Sequence, residues 1–188
     1  MRPSIRISSR PWGPILDKVE HAGLLVVVAA ASVAAKGLDA GVDQSRAAVI
    51  SKHVETLSPR TVLIPALVQA LHANGSMEVE ILDAAPSPDS GLRFDAVLLV
   101  RISSWGFQQL RERDPLMTAF VEMQPQMRRA GTSEPIWSET ETIIGRGQWL
   151  LKELNASPDL VRDELKETLE RAGQQLAAEL LYPRSGAR

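Results

Sequence analysis

The sequence contains no cysteine. This excludes disulfides, thiolate metal sites, thiol nucleophiles and a lipid-modified cysteine within these residues. A surplus of basic charge is also missing: 21 Lys and Arg stand against 23 Asp and Glu, for a net charge of −2. Nucleic acid is therefore not an expected partner, because binding it requires clustered cations that displace counterions from phosphates. Arg2, Arg6 and Arg10 make a small basic start, read as a solvated arm. Histidines are few. His21, His53 and His72 show no pair at the spacing that sets two imidazoles on one helix face, so structural roles are expected and no metal site. Aromatic residues make up 4% of the chain, which makes each tryptophan informative.

A bilayer-spanning run is absent too. The longest apolar stretch, Ala22 to Ala35, falls short of the roughly 20 residues that a helix needs to cross a membrane. Two readings compete for it. As a secretory signal it has an arginine-bearing start and a small-residue exit at Ser32 to Ala34. Against that, Asp17, Glu20 and His21 directly precede it, where a signal is basic. As a strand buried on both faces, Leu24 to Ala29 is suitably short and β-branched, and this is the favoured reading.

What is present is enough apolar material for a core: 44% of 188 residues. The composition predicts one domain spanning 22–182, with a flexible arm over 1–21 and a short tail over 183–188. Asp43 can cap a helix carrying Val49, Ile50, His53, Val54 and Leu57 on one face. Ser58 and Pro59 open a second helix with Leu63, Leu67 and Leu71 at four-residue steps, kinked at Pro65 and closed at Asn74 and Gly75. Met77 to Leu82 alternates apolar and charged residues, as a strand with one wet face does. Phe94 to Ile102 is the most hydrophobic strand and should be central. Met117, Ala119, Val121 and Met123 form the apolar side of a long strand, which Pro125 assigns to an edge or a bulge. Ala130 to Pro135 is a hairpin loop, with Ile136 to Ile144 as the return strand. Ser157 and Pro158 start a closing helix with Val161, Leu165, Leu169, Ala172, Leu176 and Leu180 in one stripe. The fold class is α/β (α+β): a mixed sheet of about five strands with helices packed on it.

Reactive chemistry is hard to assemble from these residues. Ser103 and Ser104 are not set in a glycine-flanked nucleophile turn and read as a strand end. Gly145 and Gly147 lack the third glycine of a phosphate loop and read as an ordinary turn. Asn155 to Ser157 matches a glycosylation sequon, and serves equally as helix-start chemistry. Glu139 and Glu141 lie on one strand face, where Glu122 or Glu134 would complete an acid–base set, but the solvated face of a hairpin is the expected reading. Met117, Met123 and Met127 are read as core filling. No catalytic, cofactor-binding or metal-binding residue is expected. Trp105 and Trp137, each beside polar residues, are expected first to pack in the core, and contact with a partner protein is the alternative reading of both.

From Ser58 to Ile144 the pattern resembles a known arrangement. A helix ends at Asn74 and Gly75, a strand follows, and a buried strand begins just after Asp95. Then come Ser104, Trp105 and Gly106, and a strand pair whose second member opens with Glu134, Pro135, Ile136, Trp137 and Ser138. This is similar to small α/β bacterial envelope proteins, typified by the amino-terminal domain of the Tol translocation protein and by curli-secretion-type outer-membrane lipoproteins. The resemblance implies a non-catalytic accessory or assembly protein, periplasmic or on the periplasmic face of the outer membrane. Its partner would be another envelope protein, and homo-oligomerisation would fit the same role. It carries no functional residues with it, and the acylated cysteine of such lipoproteins has no counterpart here. A cytoplasmic small-ligand or regulatory domain, and a hydrolase using the hairpin carboxylates, are the rival readings.

Overall fold

The computed structural model describes residues 23–30, 50, 57–74, 78–82, 95–110, 116–129, 132 and 134–182. The expected arm, tail and most of the helix after Asp43 lie outside these residues, as do His21 and His53. Seven strands are seen: β1 (Gly23–Ala30), β2 (Glu78–Leu82), β3 (Ala96–Gln109), β4 (Leu116–Arg129), β5 (Pro135–Ser138), β6 (Glu141–Ile144) and β7 (Trp149–Leu150). The helices are α1 (Pro59–Asn74), α2 (Leu151–Ala156) and α3 (Pro158–Leu181).

The sheet is mixed and runs β2-β1-β3-β4-β5, with β6 and β7 pairing further along β4. β1 lies between β2 and β3 and is parallel to both, so Leu24 has Val79 on one side and Ala96 on the other. A strand parallel to both neighbours lies inside the sheet, where near-continuous apolar runs are usual, and the strand reading of the run holds. The expected fold class is observed, with seven strands in place of about five. The difference comes from the return strand, which reaches β4 as three separate segments.

β3 is longer than its sequence pattern suggests, because a bulge resets the alternation. Ile102 pairs with Met123 and Ser104 with Glu122, leaving Ser103 as the extra residue. Before the bulge the even positions Ala96, Leu98, Val100 and Ile102 join the core; after it Trp105 and Phe107 do. Two hydroxyls hold the irregularity: Ser103 Oγ donates to the Glu122 carbonyl at 3.2 Å, and Ser104 Oγ to Glu122 Oε2 at 2.9 Å. Gly106 has φ +143°, a conformation that favours glycine.

The helices bring their own apolar stripes onto this sheet. At the start of α1 the Thr61 amide and hydroxyl both donate to the Ser58 carbonyl, at 3.1 and 2.8 Å. The helix runs unbroken through Pro65, whose ring is exposed, and Leu63, Leu67 and Leu71 are fully buried. At the start of α3 Ser157 Oγ accepts the Leu160 amide at 3.3 Å, with Pro158 in the first turn. All six expected stripe residues, Val161 to Leu180, are buried. The two helices meet at Gly173, where a Cβ would lie 2.5 Å from the Leu63 carbonyl oxygen and 2.8 Å from the Leu67 nitrogen. Only hydrogen allows the backbones that close. Ile81, on the apolar side of β2, is 46% exposed, and among the described residues β2 pairs with β1 alone.

Candidate functional site

Pro125 organises the return strand. It sits inside β4 opposite Val100 and is buried, so β4 is not the edge strand that a proline suggests. Its carbonyl oxygen accepts the Glu139 amide at 3.1 Å, on the side facing the return segments. A strand residue presents its N–H and C=O along the same edge, so the N–H that proline lacks is missing on that side too. There the return chain breaks: β5 ends at Ser138 opposite Gln126, and β6 begins at Glu141 opposite Met123. The irregularity expected in β4 is carried by its partner.

This break sets two carboxylates. Trp137, Glu141 and Ile143 lie opposite Met127, Met123 and Val121, all core residues of β4, so the odd-numbered positions face the helix layer. Ile143 is accordingly buried, and so is Glu141, at 8% exposure. The expectation that Glu141 belongs to a solvated strand face is thereby corrected. Glu139 is exposed, in the break itself. The third acid is one that the sequence reading missed: one oxygen each of Glu139, Glu141 and Glu179 of α3 lie within 4.8 Å of one another. Glu122, engaged by Ser104, and the exposed Glu134 are not part of this group. Gln175 Nε2 donates to Glu179 Oε1 at 3.5 Å. Both carboxylate oxygens of Glu141 are buried and find no hydrogen-bond partner among the described residues.

The two tryptophans separate. Trp105 is 1% exposed, opposite Val121 in the middle of β3, and belongs to the core. It offers a partner no surface, because the bulge at Ser103 turns its ring toward the helices. Trp137 is half-buried on β5 and packs against the margin of the core, beside the half-buried Ile136. Ile144, on β6, is 36% exposed. Among the described residues, β5 and β6 pair with β4 and with no strand beyond.

The remaining candidates are structural in position. Ser103 and Ser104 lie within β3, not at a strand end. His72 is exposed in the last turn of α1. Gly145 donates its amide to the Ala119 carbonyl at 2.7 Å as the chain leaves β6. Gly147 is closely approached by the Trp149 indole nitrogen and the Glu164 carboxylate, both side-chain atoms that would have to shift to admit a Cβ. Met117, Met123 and Met127 are buried in the core. Among the described residues no helix is long and apolar enough to cross a membrane.

No protein-family model and no curated protein matches the sequence. Solved structures with a similar course of chain include a protein of family DUF330 from Xanthomonas campestris, at 13% identity and a TM-score of 0.49, covering 85% of this chain and 83% of that one. The PelC dodecamer from Paraburkholderia phytofirmans is similar at 15% identity and a TM-score of 0.45, over 87% of this chain and 90% of that one. A minor lipoprotein from Acinetobacter baumannii is similar at 11% identity and a TM-score of 0.42, over 83% and 91%. These are neither Tol translocation proteins nor curli-secretion lipoproteins, and no catalytic family is evident among them. At such identities they carry no residue role over to this chain.

Proposed function

We propose that this chain is a non-catalytic accessory or assembly module of the bacterial cell envelope, acting at the periplasmic side through contact with another envelope protein. The observation that supports this most is the side of β5 and β6 away from β4, on which no strand pairs among the described residues, with Trp137 and Ile136 half-buried and Ile144 exposed along it. An edge strand offers unpaired backbone N–H and C=O groups to an extended segment of a partner, and alternate side chains supply selectivity. Tryptophan suits such a place, since its ring gives a large contact area with few rotatable bonds.

The test is site-specific photo-crosslinking in the native host, with the reactive group at Thr142 or Ile144 and a tag at the carboxyl terminus. The expected result is recovery in the envelope fraction with one discrete crosslinked species. Recovery in the cytoplasmic fraction without a crosslink would overturn the proposal.

A further inference from the structure

We propose that Glu139, Glu141 and Glu179 hold a divalent cation, with calcium as the best match. The three carboxylates come from the break after β5, from β6 and from the last turns of α3, and an oxygen of each lies within 4.8 Å of the others. A carboxylate cluster at a protein surface is ordinary; Glu141 is what makes this one different. It is 8% exposed, its two oxygens have no hydrogen-bond partner among the described residues, and it points at two further acids. A buried anion is normally paired, hydrogen-bonded or bound to metal, whereas Glu141 has no hydrogen bond among the described residues and two further carboxylates beside it.

A cation resolves both problems at once. Oxygens no more than 4.8 Å apart share a point within about 2.8 Å of all three. A cation at that point has three carboxylate oxygens within reach, and calcium, which takes six to eight oxygen ligands at roughly 2.3–2.6 Å, suits such a set. Calcium also tolerates irregular geometry and carboxylates bound through one oxygen or two, and exposed Glu139 leaves room for water ligands. With no cysteine in the chain and no histidine in the cluster, the donor set is all oxygen, which suits a hard ion over zinc or copper. Bound there, the ion ties the return strand to the closing helix. The inference is independent of the proposed envelope role.

Equilibrium dialysis of the full chain against calcium chloride tests it directly, alongside thermal melts in calcium and in EDTA. The expected result is one ion per chain, with a melting temperature raised by roughly 1 mM calcium and a weaker response to magnesium. Glu141→Gln and Glu179→Gln should each weaken binding about 10-fold or more and abolish the thermal shift. Glu139→Gln, at an exposed position, is the variant least able to disturb folding, and it too should lower the affinity. No binding by the unaltered chain would overturn the proposal. Binding that survives all three substitutions unchanged would overturn it equally, by placing the ion elsewhere.

Discussion

The amide of Glu139 donates to the carbonyl of Pro125 at 3.1 Å, across the point where the return strand leaves the sheet. This one bond keeps the buried Pro125 carbonyl satisfied while the chain on either side shifts from β5 to β6. Glu139→Pro removes the donor, leaves a buried acceptor unsatisfied and should cost about 1–3 kcal/mol. Glu139→Gln keeps the amide and should leave stability in metal-free buffer nearly unchanged. Urea denaturation of the two variants in EDTA separates them.

Helix packing gives a second prediction. Gly173→Ala places a methyl group against the Leu63 carbonyl and the Leu67 nitrogen, both of them backbone atoms that cannot swing aside. The helices must separate, at a cost of about 1–3 kcal/mol as for other overpacked cores. Ala is the better helix former by roughly 1 kcal/mol, so a stabilised variant would show that α1 and α3 are not in contact there.

The closing helix should be integral to the fold. Leu169 is fully buried in its stripe. Leu169→Ala should cost about 2–5 kcal/mol, the range for a large aliphatic side chain removed from a core. A loss under half a kcal/mol in chemical denaturation would mean that α3 stands free of the sheet.

Trp105 should behave as a core residue. With 1% of its surface exposed, Trp105→Ala should cost about 3–5 kcal/mol and reduce soluble yield. A near-neutral result in the same measurement would contradict the placement of its ring behind the bulge.

Long periodic elements were legible in the sequence. The six-residue stripe of α3 and the Ser157 cap were, as were the alternating inner face of β4 and the doubly paired β1. What escaped were positions where one extra residue or one missing N–H changes the alternation. Ser103 inverts the parity of β3, so alternation alone does not place Trp105 inside, although core packing is its expected reading. The signal for Glu141 was available: it shares its parity with Trp137 and Ile143, two large apolar residues, which places it on the inner face. Glu179 was not predictable as its neighbour, since that pairing depends on how α3 lies over β6. The short α2 and β7 carry no period long enough to read.

The central claim is that the β5 edge binds a protein partner through Trp137. The most direct measurement compares Trp137→Ala with the unaltered chain in two readouts: thermal stability, and binding to the partner captured by crosslinking at Thr142 or Ile144. Because Trp137 is only half-buried, stability should fall short of the loss at Trp105, while affinity should weaken by about 2 kcal/mol or more, as for an aromatic hot spot. A variant that melts several kcal/mol lower yet binds with unchanged affinity would contradict the account and make Trp137 a second core tryptophan.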